Sequence, residues 1–120
     1  MIPKFRAWDK NTNDMVDVKT IDLEKDGSIG CIVDYNGINL DVSECILMQS
    51  TGLKDKNGVE IFEGDIGWDD HQEVRGQVIF ENGAFKYEWE NISEDLFEVT
   101  DDIEIVGNIH ENPELLEGTE

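Results

Sequence analysis

The sequence predicts an all-β protein, a small β-barrel or sandwich with only minor short helices. Helical periodicity is poor throughout the chain, and turn signals recur at short intervals. Asn-Gly occurs at 36–37, 57–58 and 82–83, and Asp26-Gly27 adds a further reversal. Both centres of a two-residue hairpin turn take positive φ, which Asn, Asp and Gly tolerate, so each pair marks a candidate hairpin. Short strands joined by glycine-rich reversals, without crossover helices, point to a barrel or sandwich rather than a parallel α/β sheet.

In chain order, strands are expected over 4–8 and 15–19, joined by the loop Asp9-Lys10-Asn11-Thr12-Asn13-Asp14. Its alternating oxygen ligands resemble the opening of an EF-hand, but position six is Asp14 where glycine belongs and position twelve is Thr20 where a bidentate glutamate belongs. A connecting loop explains the same residues. Residues 20–42 read as a three-stranded meander. Across Asp26-Gly27, Ile21 and Leu23 align with Ile32 and Gly30; across Asn36-Gly37, the core-facing Cys31, Val33 and Tyr35 oppose Val42, Leu40 and Ile38, leaving Asp34, Asn39 and Asp41 outward. The run Ile46-Leu47-Met48 leads into Thr51–Ile66, where Asn57-Gly58 is expected to pair Lys56 with Val59 and Lys54 with Ile61. Gly64-Asp65 then turns the chain toward Ile66 and Trp68.

The clearest hairpin runs from Gly76 to Trp89. With Asn82-Gly83 as its loop, Phe80 faces Phe85, Val78 faces Tyr87 and Gly76 faces Trp89 on a core side, while Gln77, Glu81, Lys86 and Glu88 take the wet side. Ser93 is placed to cap a helical turn over 94–97, with acids near its positive end. Residues 103–109 read as a mostly apolar, central strand. Asn112 before Pro113 opens a last helical turn.

Three blocks carry a family resemblance: Lys4-Phe5-Arg6-Ala7-Trp8-Asp9, the stretch Thr51–Ile66, and Gly107-Asn108-Ile109-His110-Glu111-Asn112-Pro113-Glu114-Leu115-Leu116. In this order and spacing the chain resembles the YopX family along essentially its whole length. The resemblance implies phage or prophage origin, an N-terminal β portion and a C-terminal portion similar to a small SH3-like barrel. It brings no particular activity with it. The division expected is 1–50, a β subdomain of hairpin plus meander, and 51–120, an acidic SH3-like subdomain packed with it.

Charge changes at that boundary. Residues 1–50 hold 5 basic and 9 acidic side chains, hence −4, and residues 51–120 hold 4 and 20, hence −16. Such a surface repels DNA, RNA and anionic membranes and attracts basic grooves, which belong mostly to nucleic-acid-binding proteins. An acidic excess also serves solubility alone. With no run of about 18 apolar residues a transmembrane helix is not expected. Met1-Ile2-Pro3-Lys4-Phe5-Arg6 has no apolar stretch of a secretory signal, so the cytoplasm of a bacterial host is the expected compartment.

Catalytic signatures are missing. There is no Gly-x-Ser-x-Gly elbow and no Walker or dinucleotide loop. His71-Gln72-Glu73 matches half of a zinc deaminase signature, but no cysteine follows Cys45 to complete it. Cys31, Cys45, His71 and His110 offer no pair at structural-zinc spacing; a reducing compartment keeps both cysteines as thiols, and free cysteine is among the most buried residue types, so core packing is expected of them. No enzyme activity, cofactor or metal is expected.

The expected function is therefore a non-enzymatic inhibitor that occupies the basic groove of a host defence machine, a CRISPR-Cas effector or a restriction enzyme, by DNA mimicry. The carboxylates expected to form its acidic face are Asp69, Asp70 and Glu73, then Glu88, Glu90, Glu94, Asp95, Glu98, Asp101 and Asp102, with Trp68 as an exposed aromatic anchor. The competing expectation is a self-associating accessory or structural module of a phage, without mimicry.

Overall fold

The computed structural model describes residues 4–116, so Met1-Ile2-Pro3 lies outside the described residues. The fold is all-β, as expected: eleven strands in two antiparallel sheets and three short 3-10 turns among the described residues. The chain divides into two compact units between Gln49 and Ser50.

The first unit contains β1 (Phe5–Asp9), β2 (Asp14–Leu23), β3 (Ile29–Asp34), β4 (Asn39–Asp41) and the opening of β5 (Cys45–Lys54), in the order β4-β3-β2-β1-β5. Ala7 on β1 lies between Val16 and Leu47 of its neighbours and is fully buried, as is Ile32, in a cluster with Leu40 and Cys45. Asp9 ends β1, and its carboxylate accepts from Asn11 N at 2.9 Å, so the loop with EF-hand-like spacing is held as a turn by its own first residue.

The β3–β4 hairpin corrects the expected register by one residue. Ile32 opposes Leu40 and Cys31 opposes Asp41. A one-residue slip reverses every side chain: Ile32 and Asp34 are buried, while Tyr35 is 68% exposed and Ile38 54% exposed. The cause is Asp34. Its Oδ1 accepts from Asn36 N and Ile38 N, both at 2.9 Å, and its backbone closes a three-residue loop with Ile38. Only Gly37 then needs positive φ, not both loop centres. The turn at 24–28 is likewise one residue longer than expected: Glu24 N donates to Ser28 O, and Leu23 pairs with Ile29. Ile21 does oppose Ile32. Asp34→Ala strips the acceptor from two turn N–H groups and is expected to cost about 1–2 kcal/mol in chemical denaturation. An unchanged unfolding midpoint would show that the turn holds without it.

The second unit adds β6 (Glu60–Phe62), β7 (Asp65–Asp69), β8 (Val74–Glu81), β9 (Ala84–Trp89), β10 (Ile92–Asp95) and β11 (Ile103–Asn108). Its five-stranded sheet has the order β10-β9-β8-β7-β11, and among the described residues no ladder joins β10 to β11. The β8–β9 hairpin has the expected register, Phe80 opposite Phe85 and Val78 opposite Tyr87, with positive φ at both Asn82 and Gly83. The core comprises Ile61, Val78, Tyr87, Trp89, Leu96, Val99 and Ile103.

Three expectations change here. At Asn57-Gly58 the loop again has three residues: Asp55 N donates to Val59 O and Lys54 opposes Glu60. Ser93 lies in β10 opposite Glu88, because Glu90-Asn91 forms a tight turn; the 3-10 turn starts later, at Leu96. β11 is an edge strand paired to β7 rather than a central one. Its outer side meets the 55–59 loop instead, where Lys56 N donates to Ile103 O at 3.1 Å and Ile105 N donates to Asp55 Oδ2 at 2.8 Å. After β11, buried Asn108 accepts from His110 N and Glu111 N, and Pro113–Leu116 makes the expected single turn.

Candidate partner-binding face

Strand alternation distributes the acidic residues of the second unit over both sides of its sheet. On the side away from Tyr87 and Val78, Glu88 lies opposite Gln77 and Ser93, and Lys86 opposite Ile79 and Asp95. Trp68 and Arg75 oppose each other on β7 and β8 of the same side. Glu94 pairs with Tyr87 and so belongs to the other side, which breaks the single expected row of carboxylates.

Asp69 is also corrected. It is 5% exposed, and its Oδ1 accepts from His71 N at 2.9 Å and Gln72 N at 3.3 Å. A residue ending one strand of a hairpin is well placed to satisfy loop N–H groups, so Asp69 builds the β7–β8 turn rather than an outward surface. His71, Gln72 and Glu73 are exposed in that turn.

Two of the four basic side chains in the second unit neutralise carboxylates within it. Lys56 Nζ meets Asp70 Oδ2 at 2.9 Å, and Lys86 Nζ meets Asp95 Oδ1 at 2.6 Å. The hydrogen bond from Lys56, then that from the Trp68 indole, holds the Asp70 carboxyl below its ordinary pKa; in turn each paired lysine is held above its own. Asp70 thus fixes the Trp68 ring through Nε1, and Trp68 is half-buried rather than freely exposed. Glu98, Asp101 and Asp102 are exposed around and after the Leu96–Glu98 turn, next to Phe97, which is 66% exposed.

Four of the anticipated residues do converge. Trp68, Glu73, Glu88 and Glu90 line one concavity of about 620 Å³, together with Arg75 and Gln77. The guanidinium carbon of Arg75 lies 5.4 Å from the Trp68 ring centroid, within cation–π range. Arg75 was not among the residues anticipated. Its signal lay in loop length: with Asp69 opposite Val74, a cation at 75 must oppose the aromatic at 68. Among the described residues no three His, Cys, Asp or Glu side chains group as metal ligands, and Cys31 and Cys45 are free thiols. No described helix is long and apolar enough to cross a membrane.

A family model described as YopX protein matches residues 4–117. The crystal structure of protein EF1440 from Enterococcus faecalis is similar over 98% of this chain and 99% of that one, with 34% identity and a TM-score of 0.80. Protein yopX from Bacillus subtilis is similar over 95% of this chain and 98% of that one, with a TM-score of 0.67; at 22% identity the likeness is one of fold. No curated protein matches the chain significantly.

Proposed function

The chain belongs to the YopX family, and on that premise we propose that it is a phage-encoded, non-enzymatic inhibitor acting in the bacterial cytoplasm, where it occupies the basic groove of a nucleic-acid-binding defence protein. The observation that carries this reading is the charge asymmetry: −16 over residues 51–120 against −4 over 1–50. With Lys56 and Lys86 already paired, Glu73, Glu88, Glu90, Glu98, Asp101 and Asp102 remain exposed without an ion pair among the described residues. A groove evolved for phosphates attracts such a surface at long range, and the carboxylates compete with DNA by charge and position.

The test is competition for DNA. A guide-loaded Cas effector and a restriction enzyme, each with labelled target DNA, are titrated with the protein at about 50 and about 300 mM salt, which shortens the range of the field about 2.4-fold. DNA release is expected at low salt, weakened at least about tenfold at high salt and by the triple variant Glu98→Gln, Asp101→Asn, Asp102→Asn. Equal potency at both salts, or in the triple variant, sinks the mimicry reading. A closed oligomer that buries these carboxylates in light scattering would favour the self-associating module instead.

A further inference from the structure

We propose that the outer edge of β10 takes an extended, basic segment of a partner protein as an added strand of the sheet. This mode of attachment goes beyond the groove-occupying reading and stands without it, because the backbone makes the contact and not a row of carboxylates. Register fixes which backbone groups are free. Around the two-residue loop Asn82-Gly83, the N–H and C=O groups of Ala84, Lys86 and Glu88 turn toward β8, so those of Tyr87 and Trp89 turn toward β10. Ile92 and Glu94 therefore bond inward. The N–H groups of Ser93 and Asp95 and the C=O of Ser93 face away from the sheet, with no partner among the described residues. The C=O of Asp95 is not in this set, because it opens the Leu96–Glu98 turn. The far edge of the same sheet is covered by the chain itself, where the 55–59 loop meets Ile103 O and Ile105 N of β11.

The side chains of β10 select the occupant. Ile92 is exposed and Glu94 half-buried, both on the Tyr87 side, and Glu94 makes no ion pair among the described residues, whereas Asp95 on the other side is held by Lys86. An antiparallel strand that exchanges both hydrogen bonds with Ser93 sets its preceding side chain opposite Glu94 and its following one opposite Ile92, at the close spacing of cross-strand pairs. Opposite charges are favoured there and like charges are not, so the fitting strand carries arginine or lysine before its central residue and a β-branched residue after it. A second copy of this chain does not fit. Antiparallel registers that join Ser93 to Ser93 or to Asp95 of the other copy set Glu94 against Ile92 or against Glu94, and each copy carries a net charge of −20. Charged side chains on an edge ordinarily exclude pairing. One unpaired carboxylate beside free backbone groups works as a filter, which turns away acidic strands and copies of itself and admits a basic one.

The full chain is titrated at low salt with acetyl-Thr-Arg-Thr-Val-Thr-amide, with backbone amides followed by NMR. Two further peptides carry glutamate in place of arginine, or an N-methyl group on the threonine between arginine and valine. The arginine peptide is expected to move the Ser93 and Asp95 amides and slow their exchange, while those of Ile92 and Glu94, already bonded to β9, move less. N-methylation removes the donor to Ser93 O and should weaken binding roughly fivefold to tenfold. The glutamate peptide should bind more weakly than the arginine peptide. Ser93→Pro removes the outward N–H and spares the ladder to β9, a place where an edge strand admits proline. It is expected to keep the urea midpoint near that of wild type and to lose the peptide. Glu94→Lys, which leaves every backbone group in place, should exchange the preference, so that the glutamate peptide binds better than the arginine one. Unchanged affinity on N-methylation and in Ser93→Pro overturns the proposal, as does equal binding of the arginine and glutamate peptides to wild type. A dimer in light scattering that Ser93→Pro dissolves also overturns it, because the edge then belongs to a second copy.

Discussion

Gly76→Ala is expected to destabilise the protein by about 3 kcal/mol, at the upper end of what overpacking a core costs. A Cβ at this position would lie 2.4 Å from Tyr87 Cζ and 2.7 Å from Cε2, inside the buried ring rather than beside a movable tip. Gly67, facing Gly76 on β7, has the same ring 3.0 Å from its virtual Cβ, so Tyr87 lies across two strands that lack side chains beneath it. The sign is the diagnostic feature. Glycine in a strand ordinarily costs roughly 0.5–1 kcal/mol relative to alanine, so the same change at an open position would stabilise. In urea, the midpoint should fall by roughly 1–2 M. Adding Tyr87→Leu should cost less in the Gly76→Ala background than alone, a coupling measurable by a double-mutant cycle. A midpoint that stays or rises refutes the packing argument.

Asp55→Ala is the second large effect, expected at roughly 2–4 kcal/mol because three backbone donors lose their acceptor together. Oδ1 accepts from Asn57 N at 2.8 Å and Val59 N at 2.9 Å, and Oδ2 accepts from Ile105 N at 2.8 Å. Asp34 serves only two donors, so its loss should cost less. Burial alone would push the Asp55 carboxyl up; the N–H groups of Ile105, Val59 and Asn57, helped by Lys56, outweigh it and hold the group below its ordinary range. A carboxyl depressed on folding contributes its stability above the unfolded value, roughly pH 4, and loses it as pH falls through the folded value. The stability gap between wild type and Asp55→Asn should therefore be constant near pH 7 and narrow below about pH 4. Taking that difference cancels the general relief of charge repulsion that acid brings to a chain of net charge −20. A gap independent of pH would remove the ionised carboxylate from the account.

Much of this fold was legible because period two and the turn residues agree. The β8–β9 hairpin followed from Asn82-Gly83 alone, since Glu81 and Ala84 flank a true two-residue loop. The same dipeptide misled at 36–37 and 57–58 for a reason that the residue two places earlier supplies. An aspartate there accepts from the loop N–H groups and lengthens the loop by one, which shifts the register and exchanges the faces. At 82–83 that place is held by Phe80, which has no carboxylate to offer, and there the short turn forms. For the acidic face, composition announced the charge but not its direction. Asp69 looked like any other carboxylate of the acidic half until its position at the end of β7 showed which N–H groups it serves. Glu94 and Asp95 are adjacent in sequence and opposed in space, a consequence of lying in a strand where a helical turn was expected.

The attachment of β11 also sets the order of assembly. It comes late and its partners lie far back in the chain: Ile103 pairs with Asp69, and the Ile105 amide reaches an aspartate 50 residues earlier. Neighbouring hairpins of the second unit, by contrast, close across loops of a few residues. Loop-closure entropy makes such distant pairings the slow ones, so the β7–β10 meander should form first and wait. Until Ile103–Asn108 has left the ribosome, one edge of β7 stays unsatisfied and open to pairing with a neighbouring chain. A large net negative charge opposes that encounter between two nascent copies, so the acidity protects the chain while it folds.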